Sequence, residues 1–216
     1  MSFFENKKAV VFDFDGVLLE STGIKTWAFG ELYKKYGKEV QDKVFEYQTN
    51  NGGINRADKF RYFHEVILNL EISNNEVNSL SNKFRELIIE KLKLAPITLF
   101  SSEVLSLLKK KEFLLYCISA SPAEELNEIL EYKKLRNFFI KTYGGPNSKE
   151  KNFELLSLEE GICFSDMVYI GDSKIDLISS SNKNINFIGY GRDVPKWGRG
   201  QRWIHNWKEL LIDYDC

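Results

Sequence analysis

The chain has 216 residues, with 30 Lys and Arg against 31 Asp and Glu, for a formal net charge of −1. That balance excludes a protein that grips a nucleic-acid backbone or an anionic membrane through bulk basicity. With 43% hydrophobic and 14% aromatic residues the chain can build a real core, which excludes a disordered polymer, and no run approaches the ~20 apolar residues of a membrane span.

In chain order, Met1 to Lys8 carries charges where a secretion leader needs an apolar stretch, so a cytoplasmic protein is expected. Ala9-Val10-Val11-Phe12 follows, a short β-branched and aromatic run ending in Asp13-Phe14-Asp15-Gly16. It reads as a buried strand that empties into a loop. Residues 20–95 then read as helix after helix. Trp27, Phe29, Leu32, Tyr33 and Tyr36 form one apolar face, Phe60, Phe63, Val66, Ile67 and Leu70 a second, and Leu80, Phe84, Leu87, Ile88 and Leu92 a third. Asn55 is placed to cap the second of these helices, and His64 lies on its apolar face as a structural residue. Pro96, where a helix cannot easily continue, marks the return to a different architecture.

Beyond Pro96, strands are expected at Phe113–Ile118, Met167–Ile170 and Ile185–Ile188. Helical patterns lie between them, carried by Val104, Leu105, Leu107 and Leu108, by Leu126, Ile129 and Leu130 after Pro122, and by Phe153, Leu155, Leu156 and Leu158. Strands alternating with helices predict an α/β protein with a parallel, helix-covered sheet. At ~100–200 residues per domain, the length suits one domain with an inserted subdomain. Cys117, Cys163 and Cys216 are far apart and odd in number, as in a reduced protein.

Four clusters carry chemistry. Asp13 and Asp15 stand at the carboxyl end of the first strand, the edge where open α/β sheets bind ligands. Two carboxylates so close repel each other unless a divalent cation lies between them or one is protonated. Asp213 and Asp215 share the spacing but sit in the C-terminal tail, where solvation accounts for them. Gly171-Asp172-Ser173-Lys174-Ile175-Asp176 again puts acids after an apolar strand. Its two carboxylates suit a hard oxygen site for Mg²⁺, or else cap a helix. Ile118-Ser119-Ala120-Ser121 offers a hydroxyl and backbone N–H groups to a phosphoryl oxygen, or forms a Ser-Pro turn with Ser121 as cap. Gly144 to Lys149 reads as a flexible loop delivering a lysine, with Lys151 a close competitor for that role.

The order Asp-x-Asp-Gly-Val-Leu, strand-terminal Ser, Lys, then Gly-Asp-x-x-x-Asp resembles the four motifs of the haloacid dehalogenase (HAD) superfamily. The insert resembles its C1-type helical cap, and Gly52-Gly53-Ile54-Asn55-Arg56-Ala57-Asp58 is similar to the cap substrate loop of the β-phosphoglucomutase group. The resemblance implies a Rossmann-like HAD core formed by residues 1–19 and 96–216, with a cap at 20–95. It makes Asp13 the nucleophile that forms an aspartyl-phosphate and Asp15 the general acid and base. Mg²⁺ would be held by Asp13, the backbone carbonyl of Asp15 and Asp172, with Asp176 behind them or bound through water. Ser119 and Lys149 would stabilise charge on the equatorial oxygens, and Arg56, Gly16 and Ala120 would contact substrate. Asp15 argues for phosphate-ester chemistry, since the dehalogenase and phosphonatase branches lack an acid there. The expectation is a Mg²⁺-dependent phosphatase acting on a small phosphorylated metabolite such as a sugar phosphate, with a phosphomutase as the alternative. A third reading takes Arg192, Lys196, Arg199 and Arg202 with Tyr190, Trp197 and Trp203 as a nucleic-acid surface; a glycine-rich loop with snorkelling side chains is preferred.

Overall fold

The computed structural model describes residues 4–214. Six strands, β1 (Ala9–Phe12), β2 (Leu114–Pro122), β3 (Lys141–Gly145), β4 (Met167–Gly171), β5 (Asn186–Tyr190) and β6 (Arg202–Ile204), form one sheet in the order β3-β2-β1-β4-β5-β6. Every neighbouring pair is parallel. The topology reverses at β1, which lies between β2 and β4. Such a switch point opens a crevice at the carboxyl ends of the strands, and β1 and β4 deliver their terminal residues into it.

The sheet is covered on both faces because its strands are apolar on both. Val10 and Phe12 join one buried cluster with Leu115, Cys117, Val168 and Ile170, whereas Ala9 and Val11 join another with Tyr116, Ile118, Met167 and Tyr169. This is the period-two alternation of a strand with helices on each side. On the first face pack α5 (Ser101–Lys110), α6 (Ala123–Tyr132) and α9 (Lys208–Tyr214), through Leu105, Ile129 and Leu210. On the second pack α7 (Lys149–Glu160) and α8 (Lys174–Ser181), through Phe153, Leu156 and Leu177.

From Thr22 to Leu94 the chain is helical, as α1 (Thr22–Tyr33), α2 (Lys38–Asn50), α3 (Arg56–Tyr62) and α4 (Asn74–Leu94). The two ends of this stretch meet, for Glu20 N donates to Pro96 O at 3.0 Å and Leu19 bridges Ile97. Its centre is aromatic: Phe29 packs against Phe60, Phe63 and Phe84 with centroids 4.3–5.5 Å apart. Asn55 caps α3 as expected, accepting from Asp58 N at 3.0 Å. His64 Nδ1 lies 2.8 Å from Tyr33 Oη and 3.1 Å from Phe60 O, a structural role.

Several expectations needed correction. Strands β3 and β6 were not foreseen, and Lys149 rides on the first turn of α7, capped by Ser148, rather than on a flexible loop. Val66 is exposed on the π turn at Phe63–Ile67, and Leu70 is exposed because the helix has ended before it, with Asn69 in the left-handed region at φ 53°. Leu158 is also exposed. Cys117 and Cys163 are free thiols; Cys216 and Asp215, with the side chain of Asp213, fall outside the described residues. No helix among the described residues is long and apolar enough to cross a membrane.

Candidate active site

The crevice at the carboxyl ends of β1, β2 and β4 continues into a cavity of about 80 Å³ roofed by α1 to α3. Asp13 extends β1 by one residue, its N–H donating to Ile170 O of β4 at 2.8 Å. Its carboxylate accepts from Phe14 N at 2.8 Å and meets Lys149 Nζ at 2.9 Å. Burial pushes the Asp13 carboxyl up to about 7; Lys149 opposes that rise, while Asp176 and Asp15 add to it.

Lys149 is buried and touches three oxygens: Asp13, Asp176 and the Tyr169 hydroxyl at 3.0 Å. Burial disfavours its charge, but Asp13 and Asp176 overcompensate and hold the ammonium above its ordinary range. Lys151, the competing lysine, is exposed and pairs with Glu154. Asp176 has no free oxygen. One accepts from Lys149 and Tyr169, the other from Ser173 N at 2.9 Å and Ser173 Oγ at 2.7 Å. It is the N3 member of the capping box that starts α8, so the helix-cap reading of this segment holds, while its other oxygen anchors Lys149.

Asp172 differs. Among the described residues its carboxylate has neither a hydrogen-bond donor nor an ion-pair partner, and burial followed by repulsion from Asp13 and Asp176 pushes it well above the carboxylate range. Oxygens of Asp13, Asp172 and Asp176 lie within 4.8 Å of one another. An unsatisfied carboxylate beside a second one is a donor set that a small divalent cation completes. Gly16 makes this approach possible: its φ is +82°, and a Cβ there would stand 2.0 Å from Asp172 Oδ2.

The Asp15 side chain turns away from that cluster. Oδ1 accepts from Ser21 at 2.6 Å, and Oδ2 from Ser121 at 2.9 Å and Ser119 at 3.2 Å. Lys25 Nζ of α1 lies 2.5 Å from Oδ2. Burial resists its ionisation, yet Lys25 and the Ser21 and Ser121 hydroxyls outweigh burial and hold the carboxyl at about 2. The two acids of the first motif are therefore separated in acidity, with Asp15 the stronger. Ser119 is fully buried and serves Asp15 and Ser121 N. The cavity wall is formed instead by Ala120 and Ser121. Ser121 is no cap, since Pro122 takes that position and the Ser121 hydroxyl bridges Asp15 and Lys25.

Arg56 lines the cavity, but its guanidinium is already engaged. Nη2 meets Glu125 Oε1 of α6 at 2.5 Å, and the guanidinium stacks 4.6 Å from the Phe84 ring. The sequence reading missed Lys25, Gln48 and Lys59, which all line the same space. A signal existed for Lys59, because it follows Arg56 by three residues and so shares its helix face. The stretch from 190 to 203 lies at the far sheet edge. Tyr190 is buried against Trp207, and Trp203 lies over Gly189 and Gly198 with Trp197 beside it. Trp203 is half-buried against Gly189 and Gly198, while Arg192, Lys196 and Arg199 are exposed.

The family model for haloacid dehalogenase-like hydrolases matches residues 10–190. Phosphoglycolate phosphatase of Colwellia psychrerythraea is 25% identical over 225 residues, covering 96% of this chain and 97% of that protein. A crystal structure of a predicted phosphoglycolate phosphatase from Haemophilus somnus is similar with TM-score 0.74 at 17% identity, covering 96% of this chain and 98% of the other. CbbY from Rhodobacter sphaeroides, crystallised with xylulose-(1,5)-bisphosphate, gives TM-score 0.73 at 15% identity over 94% of this chain and 96% of its own. With a family match running from β1 to β5, over most of its length, the chain belongs to the haloacid dehalogenase-like hydrolases and is a hydrolytic enzyme.

Proposed function

We propose that the protein is a Mg²⁺-dependent phosphatase of small phosphorylated metabolites, working through an aspartyl-phosphate on Asp13. The observation that carries this reading is the buried Asp13–Lys149–Asp176 chain standing beside the unpartnered Asp172 at the ends of β1 and β4. Residues 20–95 act as the cap and residues 1–19 with 96–216 as the core. Asp13 and Asp172 would hold the cation, with Asp176 behind them anchoring Lys149. When bound, the cation supplies positive charge that keeps Asp13 ionised and lets an anionic phosphate approach the acidic cluster.

The chain's own groups do the rest. The Asp13 carboxylate oxygen attacks phosphorus, the ester P–O bond breaks, and the leaving oxygen takes its electron pair and a proton from Asp15. Asp15 then removes a proton from water as that water attacks phosphorus and releases Asp13. Lys149, held on Asp13, stabilises charge on the phosphoryl oxygens. Lys25 keeps Asp15 ionised in the arrangement described, so withdrawal of α1 from Asp15 is needed before that carboxyl can carry the proton it donates. About 80 Å³ admits little more than a small ester, and cap movement must admit anything larger.

A relative named for phosphoglycolate makes that ester, along with sugar phosphates, the place to start. Phosphate release from a panel of such esters with and without Mg²⁺, with Asp13→Asn as control, tests the proposal. Turnover that depends on Mg²⁺ and on Asp13 supports it; full activity in the Asp13→Asn protein overturns it. Transfer of phosphate between two hydroxyls of one sugar, without net release, would favour the phosphomutase alternative.

A further inference from the structure

Each cation lining the cavity has a carboxylate partner except one. Lys149 has Asp13 and Asp176, Lys25 has Asp15, and Arg56 has Glu125. Lys59 of α3 is 4% exposed, and among the described residues no carboxylate lies within ion-pairing distance of it. Its Nζ donates to Gln48 Oε1 of α2 at 2.6 Å and lies 5.5 Å from the centre of the Phe29 ring. Gln48 and Phe29 line the cavity with it.

A buried ammonium with one neutral acceptor is a destabilising arrangement. Burial lowers the pKa of Lys59 to about 7, and repulsion from Lys25, Lys149 and Arg56 adds to this while Asp15 resists it. Those same four groups surround the reaction site, so Lys59 sits within electrostatic reach of it. A cost of this kind is repaid when a ligand supplies the missing anion in a water-poor pocket. The phosphoryl group itself is provided for by the cation site, Lys149 and the backbone of Ala120 and Ser121 near the end of β2. What Lys59 lacks is an anion on the other end of the substrate.

Resting on the phosphatase reading above, we propose that Lys59, oriented by Gln48, is a specificity-determining residue that binds a second anionic group, a carboxylate or a second phosphate, on the substrate's leaving side. Selectivity therefore favours doubly anionic esters over esters of neutral alcohols.

The test uses the full chain with Mg²⁺ and three two-carbon probes: 2-phosphoglycolate with a distal carboxylate, ethylene glycol bisphosphate with a distal phosphate, and ethyl phosphate with neither. The wild type is expected to show kcat/KM at least about 10-fold higher for one charged probe than for ethyl phosphate, as for a hydrogen bond between charged groups. Whichever probe is preferred identifies the anion. Lys59→Met should bring that ratio close to one, and Lys59→Arg should retain most of it. A general packing defect would lower turnover of all three probes together and leave the ratio unchanged, which overturns the proposal. Wild-type turnover of ethyl phosphate as fast as both charged probes also overturns it, needs no variant, and leaves the phosphatase reading standing. No turnover of any probe or of p-nitrophenyl phosphate removes that reading and this proposal with it.

Discussion

The contact between Arg56 and Glu125 joins α3 over the site to α6 beneath it, and its removal has a calculable signature. The side chains are 8% and 2% exposed, with Nη2 and Oε1 2.5 Å apart. Leucine at position 125 leaves the guanidinium with only Ser81 O at 3.4 Å and the Phe84 ring. Breaking a buried pair from one side costs about 3–5 kcal/mol, because the survivor is an uncompensated buried charge. Replacing both partners removes that charge, so Arg56→Met with Glu125→Leu should fall within about 1–2 kcal/mol of wild type. Glu125 Oε2 has no hydrogen-bond donor even in the intact pair, which tilts the balance further toward the double variant. Urea unfolding of the four proteins, followed by tryptophan fluorescence and circular dichroism, gives the coupling directly. A coupling of at least ~2 kcal/mol is expected. Single variants that each cost under ~1 kcal/mol, or that simply add, would refute it, since the two helices would then separate and let water solvate the remaining group.

Further outcomes follow from single positions. Gly16→Ala places a methyl group into the Asp172 carboxylate at a backbone φ of +82°; Mg²⁺ affinity by calorimetry should fall by about 10-fold or more, the scale of lost outer-shell support. Gly189→Ala puts a Cβ 1.9 Å from the Trp203 ring, and unfolding should show a loss of about 1–3 kcal/mol from overpacking, whereas no change would mean that Trp203 is not seated on β5. Lys59→Met should stabilise the protein at neutral pH. The folded value near 7 lies below the ordinary 10.5, so the unfolded chain binds the extra proton between these limits and wild-type stability rises across that window by up to ~1.4 kcal/mol per pH unit. The advantage of the variant should thus be largest at pH 7 and below and vanish toward pH 10.5, read as the difference between two melting curves against pH; an advantage constant with pH would contradict the buried charge.

Much of this was legible in the sequence where apolar runs and acids coincide. Strands β1, β2, β4 and β5 are each built around a short apolar run with β-branched and aromatic residues, and the acids that follow β1 and β4 meet because those strands are neighbours. Strand β3, Lys-Thr-Tyr-Gly-Gly, and the three-residue edge strand β6 have too few such residues to stand out, and they form because β2 and β5 offer unpaired edges. Gly144 shows the other side of that local pattern: its lack of a side chain lets the strand pass the backbone of Ala123 at a distance where a Cβ would stand 2.6 Å away. Candidate residues were legible as types but not as partnerships. Arg56 reads as a free cation until Glu125, 69 residues later, is brought against it. Asp176 reads as an acid beside a cation site, while its four hydrogen bonds, from Lys149, Tyr169 and Ser173, come from residues that only the fold brings together; Lys59 is singled out only once Gln48 and Phe29 are packed against it.

The central claim is that Asp13 is phosphorylated during turnover. Rapid acid quenching with a turned-over ester and Mg²⁺, followed by borohydride reduction, converts an acyl phosphate to an alcohol that peptide mass spectrometry locates. Homoserine is expected at position 13 and nowhere else, and none when Mg²⁺ is omitted. Efficient hydrolysis with position 13 unmodified, or reduction at Asp15 or Asp172 instead, would contradict it.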